Sequence, residues 1–349
     1  MQIEQFPMVV TLKDIADRAG VSMTTVSRVL NKRESGVPIR EETRLKILAI
    51  AAELDYRPNM MARALRGKRS LLIGVLAQNI TSLFHSQILL GVTAAAVERG
   101  YRVFLGHVER QVDVALDYGS MFEQSQTDGI LIIGELRGDP DAFQVLAQQH
   151  KNIVTISDRL TDHQFPGVYS DSNFGTQLAM DHLWELGHRR IVCMTDRNIR
   201  DGQIRADAYE RYMRERGYGD AAHVIVTGRS FQTALETGLQ FFNALHGKDK
   251  PTAIFATTDS IAIGLLQAAF QLGIRVPDQV SIVGFDDIDF AAFTIPPLTT
   301  VRQAGRELGR VGATLLIDMI ERASERLKLE DIVLTPTFVV RQSTAAPKS

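Results

Sequence analysis

The chain has 349 residues, 45% of them hydrophobic and 23% charged, with a formal net charge of −2. That length suits two or three domains with sizeable cores, and the composition excludes fibrous, collagenous and disordered classes. No apolar run reaches the roughly 18 residues of a membrane span, residues 1–30 lack the charged start and apolar core of a signal peptide, and Cys193, the one cysteine, cannot form an internal disulfide; a cytoplasmic protein with a core thiol is expected.

Charge is unevenly spread. Residues 1–69 carry 13 Lys and Arg against 8 Asp and Glu, although the whole chain has 39 against 41. A basic head on an acidic body fits a polyanionic partner confined to the N-terminus. Past a lead-in before Met8, the stretch TLKDIADRAGVSMTTVSRVLN (11–31) carries two short helical patterns broken by Gly20. Thr11, with Asp14 three residues on, caps the first. Leu12, Ile15, Ala16 and Ala19 make one apolar stripe, and Gly20 suits the left-handed turn that ends the helix. Ser22 caps the second, with Val26, Val29 and Leu30 inward, leaving Ser22, Met23, Thr24, Thr25, Ser27, Arg28 and Asn31 available. Small hydroxyl and amide side chains around one arginine suit phosphates and base edges; by itself the segment also fits an ordinary αα-hairpin.

A third helix is expected from about Glu41, with Leu45, Leu48, Ala51 and Leu54 on one face, so that residues 8–56 form an all-α miniature domain. Pro58 stops it, and Asn59 caps a two-turn helix over 60–66, too short to stand alone in water, within a linker spanning 57–70. From Leu71 the pattern becomes α/β. Apolar runs at LLIGVLAQN, YRVFLGHV, GILIIGE, NIVTIS, RIVCMT, HVIVTG, TAIFATTD and SIVGFDD alternate with helical stretches at 86–99, 112–126, 173–186, 204–216, 233–244 and 259–272. Alternation of this kind predicts parallel sheets buried on both faces.

Catalytic signatures are missing: there is no GxxxxGK[ST] loop, no GxSxG turn and no HExxH pair, and the eight histidines are scattered. No metal, cofactor or enzymatic activity is expected. Polar residues instead recur where the predicted strands end, which is where open α/β sheets bind ligands. Asp158 and Arg159 follow NIVTIS, Thr258 and Asp259 follow AIFAT, Asp286 and Asp287 follow SIVGF, with Arg205 in QIRADAYERY and Gln303 after LTTVRQ. Carboxylates accept from sugar hydroxyls while Arg and Gln donate; Phe84, His85 and Phe231 offer flat faces. Asp259 and Asp287 are equally suited to capping, and Phe231 to core packing.

VTLKDIADRAGVSMTTVSRVLN, YRPNMMARALRGKRS and GFDDIDFAAFTIPPLTTVRQ together resemble the lactose-repressor family of bacterial transcription regulators, in that family's order and near its spacing. The resemblance implies a helix-turn-helix headpiece, a hinge helix and a two-lobed core like that of periplasmic sugar-binding proteins. Lobe 1 would hold 71–169 and 300–333, and lobe 2 would hold 170–299 and 334–342. It implies base contacts from Met23, Thr24 and Arg28, phosphate contacts from Thr11, Ser22, Thr25, Ser27 and Asn31, and hinge contacts from Tyr56, Asn59, Ala62 and Leu65, the last wedged into the minor groove. Asp158, Arg159, Arg205, Asp286 and Gln303 match ligand-contacting positions, whereas Thr258 stands where sugar-binding members often carry Asn. The expected protein is a homodimeric repressor binding near-palindromic operator DNA, with a carbohydrate-type effector and no membrane contact. A purine or sugar phosphate effector is the alternative, and a sugar-transport component the lesser one. No leucine heptads follow Arg341, so a tetramer-forming tail is not expected.

Overall fold

The computed structural model describes residues 10–30, 38–56, 69–109, 111–135, 140–157, 165–245, 250–322 and 330–348, without the side chains of 112 and 140–144. The chain forms two compact units, Met1–Lys68 and Arg69–Ser349. The expected hinge helix, with Asn59, Ala62 and Leu65, lies outside the described residues, as do Asn31, Asp158 and Arg159.

In the first unit, α1 (Leu12–Ala19) opens with a reciprocal cap. Thr11 Oγ1 accepts from the Asp14 N–H at 3.4 Å, and the Asp14 carboxylate accepts from the Thr11 N–H at 2.7 Å. These bonds hold the Asp14 carboxyl below its usual range. Gly20 sits at φ +71° and donates its N–H to Ala16 O at 2.9 Å, a left-handed exit that a side chain would strain. α2 (Met23–Leu30) follows, Ser22 Oγ accepting from the Thr25 N–H at 3.2 Å. α3 (Glu41–Glu53) completes a core of Ile15, Ala16, Ala19, Val26, Val29, Ile47, Ile50 and Ala51. The expected α3 stripe is corrected here: Leu45 and Leu48 are 59% and 42% exposed, and Ile47 and Ile50 turn inward instead. α3 carries apolar pairs on two faces, Leu45 with Leu48 and Ile47 with Ile50, so two stripes compete at helical spacing, and contact with α1 and α2 selects between them.

The second unit has two six-stranded sheets. The first has strand order β11-β5-β4-β3-β1-β2, from β1 (Leu72–Ala77), β2 (Arg102–His107), β3 (Gly129–Ile133), β4 (Ile153–Ile156), β5 (Gly167–Ser170) and β11 (Ile332–Leu334), all parallel. The second has order β12-β10-β9-β8-β6-β7, from β6 (Ile191–Thr195), β7 (His223–Val226), β8 (Ala253–Ala256), β9 (Ser281–Asp286), β10 (Thr299–Arg302) and β12 (Thr337–Val339). β12 runs antiparallel to β10, an exception to the expected parallel pairing. Helices cover both faces: α4 (Leu83–Glu98), α5 (Val112–Gln124), α6 (Pro140–Gln149) and α11 (Gly305–Glu321) belong with the first sheet, and α7 (Ser172–Glu185), α8 (Arg200–Glu215), α9 (Phe231–Ala244) and α10 (Asp259–Gln271) with the second. Cys193 is fully buried in β6, and burial pushes its thiol well up.

The chain passes between lobes after β5, after β10 and between β11 and β12. The second crossing, expected before Thr300, therefore falls after Arg302. β10 pairs with β9 along its length and buries Val301, while its threonines find partners: Thr300 Oγ1 donates to Asp259 and Thr299 N–H to Ser343 Oγ. α11 was not among the expected helices, since Gly305, Gly309 and Gly312 weaken its pattern. Packing explains them: a Cβ on Gly309 would lie 2.0 Å from Ile88 O in α4, and one on Gly91 would lie 2.0 Å from Arg306 O. The helices cross too closely for any side chain there.

Candidate functional site

On the first unit, α2 presents Ser22, Met23 (54% exposed) and Thr24 to solvent, with Thr25, Ser27 and Arg28 half-buried beside them. Ser22 Oγ and Thr25 Oγ1 share a hydrogen bond at 2.9 Å. Thr11 already donates its hydroxyl proton to Asp14 at 2.7 Å, so the cap accounts for that side chain without a partner. Tyr56 packs against the headpiece core and donates its N–H to Ala51 O.

In the second unit, the carboxyl ends of the strands face one cleft between the lobes. An outer cavity of about 520 Å³ is lined from lobe 1 by Gln78, Phe84, His107 and Glu109 and from lobe 2 by Arg229, Phe231, Thr258 and Asp286, among others. A tighter inner space of about 50 Å³ reaches His85, Glu135, Asp201, Arg205 and Gln303. The sheets explain the position: strand order reverses beside β1 and β6, leaving a crevice where neighbouring loops diverge.

Arg205 anchors the inner end and is 2% exposed. Its Nη1 donates to Thr257 O at 2.7 Å and stands 3.5 Å from Asp286 Oδ1, Nη2 lies 3.5 Å from Asp201 Oδ2, and Nε donates to Ser172 Oγ at 3.3 Å. The guanidinium also lies 3.8 Å from the Phe285 ring centre. Gln303 Nε2 donates to Asp286 Oδ1 at 2.6 Å. Burial raises the Asp286 carboxyl to about 6, the Arg205 charge and the Gln303 bond opposing the shift. Asp286 and Asp287 have φ of +117° and +55°, strained backbone costing about 1–3 kcal/mol each. Side-chain anchors hold it: Asp287 accepts from Arg302 Nε at 2.6 Å and Arg341 Nη2 at 2.7 Å.

The open readings of three residues resolve differently. Asp259 supports the floor, accepting from Thr300 Oγ1 at 2.5 Å and the Ile288 N–H at 2.9 Å; burial and nearby Asp286 push its carboxyl well up. A Cβ on Gly284 would stand 2.2 Å from it. Neither Asp259 nor Asp287 lines the cavities. Phe231, 43% exposed, is at the cavity wall and not in a core, and Thr258 both caps α10 and lines the wall. Phe84, His85, Arg205, Asp286 and Gln303 also meet in the cleft. Sequence reasoning missed Gln78 and Arg229, which line both spaces. Each directly follows or nearly follows a strand, β1 or β7, so the rule that found Asp286 also covers them. Among the described residues no group of His, Cys, Asp and Glu is placed to hold a metal ion, and no helix is long and apolar enough to cross a membrane.

Residues 11–59 match the model of bacterial regulatory proteins of the lacI family, and residues 180–344 that of the periplasmic binding protein-like domain. The chain is 30% identical to the HTH-type transcriptional repressor PurR of Photobacterium profundum over 341 residues, 95% of this chain and 98% of that one. It is also 30% identical to the ribose operon repressor of Escherichia coli, over 95% of this chain and 99% of that one. The lac repressor dimer bound to operator and the anti-inducer ONPF superposes with a TM-score of 0.85 at 29% identity, covering 97% of this chain and 99% of that one. With a helix-turn-helix headpiece, a cleft between two α/β lobes and likeness along nearly its whole length, the chain belongs to the lacI family of bacterial transcription regulators.

Proposed function

We propose that the protein represses transcription as a homodimer in the cytoplasm, each headpiece reading half of a near-palindromic operator, while a small hydroxylated effector in the cleft sets the affinity. Met23, Thr24 and Arg28 read bases, and Thr11, Ser22, Thr25, Ser27 and Asn31 meet phosphates. One headpiece reads only a half-site, hence the dimer. The hinge positions Tyr56, Asn59, Ala62 and Leu65 are assigned to the operator's centre.

The observation that carries the effector reading is the buried Arg205, Asp286 and Gln303 group at the inner end of the cleft. A guanidinium and an amide donate, a carboxylate accepts, and an unmatched partner is costly there, which gives discrimination among hydroxylated ligands. Likeness to the ribose operon repressor favours a carbohydrate. Phe84 and Phe231 also offer faces to a purine, the second reading. Asp158 and Arg159 stay assigned to the effector on the family resemblance.

The test selects DNA sequences bound by the purified protein and follows one labelled operator by fluorescence anisotropy while sugars, sugar derivatives and purines are added. A palindromic consensus and an affinity change with a carbohydrate-type ligand are expected. Selection of no sequence would refute the regulator reading. Response to a purine alone would replace the sugar.

A further inference from the structure

We propose that the outer cavity receives an anionic group of the effector, a carboxylate or phosphate on a hydroxylated ligand, held by Arg229, Gln78 and the N-termini of α4, α9 and α10. The proposal rests on the effector reading above and narrows the ligand class.

Three helices begin at this cavity. Ser82 and Phe84 at the start of α4, Ser230 and Phe231 at the start of α9, and Thr258 and Ser260 at the start of α10 all line it. These helices have 16, 14 and 13 residues, long enough for each start to carry roughly half a positive charge. The caps Ser82, Ser230 and Thr258 each accept one N–H, from His85, Thr233 and Ile261, leaving other first-turn donors. Acidic residues, which ordinarily balance such ends, are absent from the first turns of α4 and α9. α10 has Asp259, but that carboxylate is turned to Thr300 and Ile288.

Two side chains indicate that a ligand completes the site. Gln78 is 3% exposed, and its Nε2 finds no hydrogen-bond partner among the described residues although it lines both cleft spaces. A buried donor of this kind is costly unless something accepts from it. Arg229 lines both spaces without a hydrogen bond or ion pair to any described residue, its charge reaching Asp201 and Asp286 only at longer range, whereas Arg205 is held by Thr257, Ser172, Asp201 and Asp286. Two carboxylates border the outer cavity, and neither pairs directly with Arg229. Asp286 accepts from Gln303 and faces Arg205, feeling the Arg229 charge at longer range, and Glu109 is exposed in lobe 1. The division of labour follows: Asp286 and Arg205 take hydroxyls, Phe84 and Phe231 flank a ring, and Arg229 with Gln78 takes the anion. At about 520 Å³ the cavity is within the ordinary range of ligand pockets, about 300–1,000 Å³.

The experiment uses the full chain and inorganic phosphate as its first probe. Millimolar phosphate should raise the unfolding midpoint above that in chloride at equal ionic strength. Arg229→Gln should lose most of that shift, Arg229→Lys should keep part of it, and Gln78→Leu should weaken it. No excess over chloride, or an unchanged excess in Arg229→Gln, overturns the proposal. Calorimetric titration with glucose, gluconate and glucose 6-phosphate, and with ribose and ribose 5-phosphate, then separates the two sources. An acid or phosphate should bind at least tenfold more tightly than its neutral parent, and Arg229→Gln should close the gap. Neutral sugars binding as tightly, or no anion binding at all, equally overturns it. Operator selection on the same preparation keeps the readings apart, because failure there removes the regulator reading while phosphate binding still decides the anion site.

Discussion

Replacing Asp286 by asparagine should make the protein more stable at neutral pH and less able to bind its effector. The carboxyl is buried, faces Arg205 at 3.5 Å and accepts from Gln303 at 2.6 Å, yet burial outweighs both and lifts it from 3.8 to about 6. The folded state thus holds this proton more tightly than the unfolded chain. Between about pH 4 and 6 the unfolded chain loses it first, so this group's contribution lowers stability as pH rises and stays unfavourable above 6. At about 1.4 kcal/mol per pH unit, the penalty is about 3 kcal/mol. Asparagine keeps the shape and the acceptor for Gln303 but cannot ionise. Urea unfolding followed through Trp184, the single tryptophan, which packs edge-on against Tyr212 and Tyr218, reports the second unit. The variant should exceed the parent by about 3 kcal/mol at pH 7.5 and match it near pH 3.5. An asparagine variant no more stable at pH 7.5, or a difference that shrinks as pH rises from 4 to 6, would refute the reasoning. Such a result would mean that Arg205 and Gln303 fully offset the burial. Confirmation would identify a carboxylate kept for binding at the expense of folding.

Gly309→Ala should destabilise the second unit by about 1–3 kcal/mol, because the added methyl meets the backbone of α4 and not a yielding side chain; the same unfolding curve reads it. Thr11→Ala removes one half of the α1 cap and should cost the headpiece about 1 kcal/mol, seen as faster amide exchange in α1 with the Trp184 transition unmoved. Arg28→Ala should flatten discrimination at one operator base pair by about 1–3 kcal/mol, measured by anisotropy across single-base variants; an unchanged preference would remove Arg28 from the base-reading set.

Local features were legible in the sequence because their causes are local. The Thr11 and Asp14 cap, the Gly20 turn and the apolar runs of β1 to β4 and β6 to β9 depend on neighbours a few residues away. The sites at strand ends were legible on the same footing, since a parallel strand buried on both faces must end where its polar residues begin. What the tertiary structure alone decided involves distant partners. β10 is not among the expected strands because its threonines look solvent-seeking, and inside lobe 2 it is residues far along the chain that satisfy them: Asp259 accepts from the Thr300 hydroxyl, and the Arg341 N–H and Thr344 bond that of Thr299. Glycines that weaken α11 as a sequence are those its packing requires, Gly305 and Gly309 against α4 and Gly312 against Ile156 of β4. α3 offers two apolar faces, and the positions of α1 and α2 turn Ile47 and Ile50 inward in place of Leu45 and Leu48. In the cleft, sequence names a carboxylate or an arginine, but its state depends on what approaches it. Arg205 is held in place by Ser172, Asp201, Thr257 and Asp286, whereas Arg229 makes no hydrogen bond or ion pair with a described residue, and that difference exists only once the strands are ordered into a sheet.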